Sequence, residues 1–399
     1  MDQDRPLQYT TKTIQEGRAK IVVYESGPVP TKQMPVFYNP RMVMNRNFSI
    51  LAVQAWQAEL QRPVVVCDVM AGSGVRAVRL ALEVNGIDRI YANDLSPAAY
   101  RQIIQNLALN GVDPDRVKLS TKEANVFFLE RQGEKFDYID IDPFGTPVPF
   151  LFNAFHAIKP RGGLIGVTAT DTAVLHGAHA KACPLKYGAQ PLHVPFMKEF
   201  GARILVQWIQ ATAASQGFSI DVKAVLSQAH FIKVFVIVIA SRTRASQDLQ
   251  NVGWVQFCGQ CWNTIITRGR FPARLEGECP ACGGTLELGG PAWLGHLYDA
   301  QFLQRMMDAC TGIDSFPQQV ETLKILQLMK QDLEGPLLGI HIPKLCDKLN
   351  LSGPAFPAIR QELENRGFCY FRSHFDPLIV KTDAAVPVME EILRHLNEK

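Results

Sequence analysis

"PVVVCDVMAGSGVRAVRLALEVNGIDRIYANDLS" runs from Pro63 to Ser96 and sets the reading of the whole first half of the chain. A β-branched run ends in a glycine-rich turn, an amphipathic helical stretch follows, and a second β-branched run ends at Asp94. Strand and helix alternating at this spacing predict βαβ units and a parallel sheet. The pattern continues outward through "PAAYRQIIQNLALNG" as helix, "RVKLSTKEA" as a third strand and "KFDYIDID" as a fourth. An apolar helix over about 148–157, the turn "KPRGG" and a fifth strand "LIGVTATD" come next. Each strand ends near a polar or acidic residue, so those groups collect at the carboxyl edge where open α/β sheets bind ligands. A helix over 200–214 then leads to "FSIDVKAVLSQAHFIKVFVIVIA", which reads as two long strands pairing as an antiparallel hairpin.

A parallel sheet closed by such a hairpin is the layout of a class I Rossmann-like methyltransferase, and that α/β fold is the expectation here. At 399 residues the chain exceeds one ordinary core, so two or three domains are expected. The expected borders are 1–243 for the methyltransferase domain, 244–290 for an inserted cysteine-bearing ribbon and 291–399 for a C-terminal α+β domain. In the last, "IHIPKLCDKLNLSGPAFPAIRQELENRGF" reads as helix-turn-helix and "CYFRSHFDPLIVKTDA" as a wing. The polar run "SRTRASQDLQNVG" reads as a linker. Lys plus Arg number 41 against 38 Asp plus Glu, a net +3, so any basic surface must be local. No window has the roughly 18 consecutive apolar residues of a membrane span, and "MDQDRPLQYT" lacks a signal-peptide layout. The expectation is a soluble cytoplasmic protein with reduced thiols.

The glycine turn "AGSG" lets a backbone approach a ligand closely, and Asp94, about twenty residues on, is placed to take the hydroxyls of a ribose. A nicotinamide enzyme would share both features. "DYIDIDPFGTP", from Asp137 to Pro147, separates the two readings. An aromatic amine is a poor nucleophile because its lone pair is delocalised into the ring. A carboxylate at Asp142 and the carbonyl of Pro143 can accept its hydrogens and return density to nitrogen, while Phe144 stacks on the ring. The plainer reading is that Asp137, Asp140 and Asp142 cap a strand, yet three acids on an apolar strand are costly without partners.

"VFYNPRMVMNRNFS", "AGSGVRAVRLALE", "ANDLSPAAY", "DIDPFGTP", "TDTAVLHGAHAKACPLKYGAQPL" and two cysteine pairs, in this order, resemble the tRNA guanine-26 N2-dimethyltransferases. The resemblance is strong from Val36 to Cys282 and weaker beyond. It implies transfer of one and then two methyl groups from S-adenosylmethionine to the exocyclic amine of a guanine in tRNA. It also implies that Arg46 and Arg76 contact the cofactor, that Asp94 holds its ribose, and that Glu123 and Ala124 meet its adenine. Asp142 then becomes the catalytic acceptor, with Phe37, Pro143 and Phe144 around the base. Asn47 departs from the Asp more usual at that position. Lys186, Tyr187 and His193 fall on an expected loop over the site, and Cys183 receives no role.

Cys258, Cys261, Cys279 and Cys282 form two C-x2-C pairs at the spacing of a closed, four-thiolate structural zinc site. Between the pairs, Arg268, Arg270 and Arg274 with Trp262 and Phe271 suggest an RNA-facing patch. Lys344, Lys348, Arg360, Arg366 and Arg372 suggest a second grip in the tail. Two other readings stay open: methylation of adenine N6 or a glutamine amide, whose enzymes usually carry Asn at the Asp142 position, and a non-catalytic RNA-binding protein on the same scaffold.

Overall fold

The computed structural model describes residues 9–25, 34–131, 133–228, 230–272 and 274–398. Seven strands build a mixed sheet: β1 (Val64–Asp68), β2 (Ile87–Asn93), β3 (Val117–Ser120), β4 (Tyr138–Ile141), β5 (Arg161–Ala169), β6 (Phe218–Gln228) and β7 (Phe231–Ala240). Their order is β3-β2-β1-β4-β5-β7-β6. The pairs β1–β2, β1–β4, β2–β3 and β4–β5 are parallel, and β6–β7 is antiparallel. This is the sheet expected from the sequence. The inner strands β1, β4 and β5 are buried along most of their length, as strands covered on both faces are.

The helices that position the site are α1 (Val43–Leu60), α2 (Val75–Glu83), α3 (Pro97–Leu109), α4 (Ala124–Glu130) and α5 (Val148–Ala157). Gly74 precedes α2 at φ 77°, and a Cβ there would lie 2.9 Å from the Ile103 side chain, so the turn requires glycine. Ser96 caps α3 by accepting from the Ala99 N–H, with Pro97 at the first helical position.

Two compact units result. The first holds the described residues up to Pro143, together with 150–167 and 304–324. Its hairpin of Thr11–Glu16 and Ala19–Tyr24 has no counterpart in the sequence reading. Asn106 serves the backbone of Val22 as donor and acceptor, and Asn110 serves Lys20 in the same way. The late segment joins this unit through side chains: Asn47 donates to the Pro317 carbonyl at 2.7 Å, Arg79 lies over the Phe316 ring, and Arg305 pairs with Glu59 at 2.6 Å.

The second unit takes 144–149, 168–303 and 325–399. It includes a ribbon of β8 (Val252–Cys258), β9 (Thr264–Arg268) and β10 (Leu286–Trp293), ordered β9-β8-β10. At its C-terminal end, helices Ile342–Leu349 and Phe356–Asn365 precede two short strands, Phe371–Arg372 and Ile379–Lys381, and helix Val386–Glu398 follows. Ile342, Leu345, Ile359, Leu363, Val380, Met389 and Ile392 share one core, which gives the winged-helix-like form expected. The run after β7 is not a linker. Ser241 accepts from the Arg244 N–H and starts a helix over Arg242–Asp248. Among the described residues no helix is long and apolar enough to cross a membrane.

Candidate active site

The glycine turn and Asp94 meet as the fold class requires. Asp94 leaves the end of β2, and its carboxylate accepts from the Gly72 N–H at 2.8 Å and the Ser96 N–H at 2.9 Å. Gly72 has φ 53°, and a Cβ there would lie 3.1 Å from the Phe37 carbonyl oxygen. The turn is therefore a close-fitting backbone cradle with Phe37 beside it and an acid at its rim. Glu123 caps α4, accepting from the Asn125 and Val126 N–H groups, and Ala124 is buried behind it.

At the end of β4 the acids converge on one arginine. Arg76, on the first turn of α2, is buried and donates to Asp142 Oδ2 at 2.5 Å and to Asn45 Oδ1 at 2.9 Å. It also lies 3.4 Å from both Asp68 Oδ1 and Asp140 Oδ2. Burial alone would lower the Arg76 pKa. Asp140, Asp68 and Asp142 outweigh it and hold the guanidinium well above its ordinary value, so it stays charged. Asp140 further accepts from Ser49 at 2.8 Å and from the Tyr138 hydroxyl. Asp142 keeps 15% of its side chain open, the only one of the three acids with a face beyond the cluster. Asp137 is turned the other way, where Arg62, Lys159 and the Val65 N–H hold it. Sequence reasoning left Asp137 and Asp140 without roles and did not single out Asn45 or Asp68. The only available signal for these was the cost of burying unpaired carboxylates.

Arg46 sits on the buried face of α1 and makes a two-pronged pair with Glu16, at 2.7 and 2.6 Å, plus a bond to the Asn39 carbonyl. Glu16 also takes Arg79 at 3.0 Å and the Tyr38 hydroxyl at 3.0 Å. Burial would raise the Glu16 carboxyl, but Arg46 and Arg79 more than offset it and hold it at about 2. Arg46 is thus brought to the hairpin's acid rather than to the Asp142 cluster. Asn47 accepts from Arg79 at 2.8 Å, an uncharged acceptor within a buried ionic group.

Pro143 ends the first unit's opening stretch, and Phe144, the first residue of the second unit, is 50% exposed. Gly145, at φ 90°, turns the chain, its N–H donating to Thr170 Oγ1 and its carbonyl accepting from the Thr170 N–H. Lys186 and Tyr187 lie on a short helix, Ala182–Tyr187, not on an open loop. Both bind Asp171, and Tyr187 is fully buried, so it is a packing residue. His193 Nδ1 meets the His176 carbonyl. Burial and then the nearby Asp171 push the Cys183 thiol up to about 12, which leaves it without thiolate character at neutral pH.

The four ribbon cysteines come together. Cys258 and Cys282 sulfurs are 3.5 Å apart, as are those of Cys261 and Cys279, and all four lie within 4.8 Å of one another. Sulfurs about 2.3 Å from a tetrahedral ion stand about 3.8 Å apart, so the set fits zinc. Backbone N–H groups of Asn263, Ala281 and Gly284 reach the sulfurs of Cys261, Cys279 and Cys282. A Cβ on Gly284 would lie 3.3 Å from two sulfurs, which shows how closely the turn wraps them. Trp262 packs on Phe257 and on the winged-helix core and is no part of an open patch.

Comparison with known proteins agrees with this geometry. The family model for N2,N2-dimethylguanosine tRNA methyltransferase matches residues 17–394. The tRNA (guanine(26)-N(2)/guanine(27)-N(2))-dimethyltransferase of Aquifex aeolicus is 34% identical, covering 96% of this chain and 95% of its own. The tRNA (guanine(26)-N(2))-dimethyltransferase of Methanobrevibacter smithii is 34% identical over 98% of this chain and 99% of its own. The solved complex of Trm1 from Pyrococcus horikoshii with S-adenosyl-L-methionine is 30% identical, covers 96% of this chain and 99% of that one, and superposes with a TM-score of 0.83. With the match running through both units, the chain belongs to the N2,N2-dimethylguanosine tRNA methyltransferase family.

Proposed function

We propose that this protein dimethylates the N2 amine of guanine 26 in tRNA using S-adenosylmethionine, and that it works in the cytoplasm. The observation that carries the mechanism is the Arg76–Asp142 pair at 2.5 Å beside a glycine cradle rimmed by Asp94. S-adenosylmethionine, when bound, supplies a methyl group on a cationic sulfonium that an amine lone pair can take. The cradle suits such a ligand: Asp94 offers acceptors to its ribose, Glu123 and Ala124 flank its adenine, and Arg76 borders its other end, while Arg46 acts from its anchor on Glu16. Asp142 then has two tasks. Arg76 occupies Oδ2 and sets the carboxylate plane, so Oδ1 accepts a hydrogen of the guanine amine while the Pro143 carbonyl accepts the other. Those bonds return lone-pair density to nitrogen and orient it, and Phe37, beside the glycine cradle, supplies an aromatic face for the base. After transfer the nitrogen carries an extra proton, which passes to Asp142 or water. The monomethyl product keeps one N–H and can present it to Asp142 again. The four cysteines hold zinc as a closed structural ion.

Asp142→Asn keeps the shape but weakens the acceptor. Its kcat is expected to fall about 10²–10³-fold, with S-adenosylhomocysteine affinity, read by calorimetry, within about twofold of the parent. Full activity in Asp142→Asn defeats the mechanism. Nucleoside mass spectrometry of a treated transcript should show N2-methylated guanosine at position 26, and a transcript with inosine there should gain nothing. Methyl transfer to the inosine transcript defeats the substrate assignment.

A further inference from the structure

We propose that the end of β9 and the loop after it form a finger that grips tRNA, with Phe271 stacking on an exposed base and Arg268, Arg270 and Arg274 on phosphates. The loop is anchored at both ends. Gly269 donates to the Val252 carbonyl at 2.7 Å, and Trp254 Nε1 donates to the Arg270 carbonyl at 3.2 Å. At the far end Gln256 both donates to the Glu276 carbonyl and accepts from its N–H, at 2.7 and 3.1 Å, as a strand neighbour would. What projects between these anchors is therefore presented by the ribbon. Phe271 is 87% exposed, an unusual cost for an aromatic ring on a rigid base, and Pro272 stiffens the chain after it. Among the described residues none forms an ion pair with Arg268, Arg270 or Arg274, and Arg270 lies 5.9 Å over the Phe271 ring, so three guanidinium groups without a carboxylate stand beside that ring within seven positions.

The tail cations are in a different state. Lys348 pairs with Glu390, Arg360 with Glu364, and Arg366 with both Glu362 and Glu391. Arg372 lies 3.9 Å over the Phe356 ring and bonds to the Pro377 carbonyl, and Lys344 makes no ion pair among the described residues. A polyanion would have to break those pairs to use the tail, whereas the finger offers its charges at no such cost. An aromatic ring among unpaired arginines matches a sugar-phosphate strand with an accessible base face. The assignment rests on tRNA being the substrate, but it is read from binding and not from methyl transfer.

The test is equilibrium binding of an unmodified tRNA transcript to the full chain across a salt series. Combined Arg268→Gln, Arg270→Gln and Arg274→Gln should raise Kd about tenfold or more and flatten the salt slope by about two to three units. Combined Lys348→Gln, Arg360→Gln and Arg366→Gln should change Kd less than about twofold. Saturating tRNA should restore kcat in the finger variant, which separates a lost grip from lost chemistry. An unchanged Kd and slope in that variant overturns the proposal. Zinc content checks that the ribbon is folded. If it is lost, Phe271→Trp in the otherwise unchanged chain decides: quenched indole emission on adding tRNA supports stacking, and unaltered emission overturns it.

Discussion

Asp142 and Arg76 lie 66 positions apart yet form one ion-paired group, because each fills what the other lacks. Arg76 meets Asp68, Asp140, Asp142 and Asn45 through a planar fork that a lysine cannot reproduce. Arg76→Ala should lower stability by about 3–5 kcal/mol, since it leaves carboxylates buried without their cation, and urea unfolding measures this. Glu16 gives the opposite test, through pH. Its carboxyl is held at about 2 against an ordinary 4.5, so the stabilisation from Arg46 and Arg79 is whole above about pH 4.5 and fades as pH falls toward about 2. The full difference is worth about 3 kcal/mol. Glu16→Gln should therefore be destabilised at pH 7 and converge with the parent in acid, as thermal melts between pH 3 and 7 would show. Of these residues, the place of Asp142 at the end of β4 was legible, because the strand's run stops there at acid-Pro-aromatic. Glu16 was not: its partners lie 30 and 63 positions away, and nothing local marks an acid that will be buried.

Elements were legible where their signal is internal. β1, β5 and β7 are mostly apolar runs, and the two cysteine pairs sit at a fixed spacing. The helix Arg242–Asp248 was missed because only Ala245 is buried, so no hydrophobic period betrays it and Ser241 is the sole start signal. The hairpin Thr11–Glu16 and Ala19–Tyr24 was missed because the groups that hold its outer edge, Gln102, Asn106 and Asn110 on Val22 and Lys20, lie 80 to 90 positions away. The ribbon makes a prediction of its own. Removing zinc with a chelator, or replacing Cys279 by Ser, should abolish stoichiometric zinc and raise Kd for tRNA, with S-adenosylhomocysteine affinity unchanged. Elemental analysis and calorimetry read the two effects. Gly284→Ala should weaken zinc retention for a steric reason, since its Cβ meets the sulfurs themselves.

Over the whole molecule the charges nearly cancel, 41 against 38, so attraction for a polyanion depends on where cations are left unpaired. Raising KCl from about 50 to about 200 mM should increase KM for tRNA at least tenfold while kcat and cofactor affinity stay within about twofold. Steady-state methylation at two tRNA concentrations checks this. The sequence carried the fold class, the glycine turn with Asp94 beyond it and the cluster of four cysteines at this scale. It could not carry which far segments share a core, because that depends on side chains meeting long after the strands are laid down. The segment 304–324 is the clearest instance, with Pro317, Phe316 and Arg305 all committed to the first unit. On a ribosome, the first unit's core therefore stays incomplete until more than three-quarters of the chain has been made. A protein ended at residue 243 would keep every strand of the seven-stranded sheet yet expose the faces of Asn47 and Arg79, and it should aggregate. Supplying residues 304–324 as a peptide should restore part of its solubility.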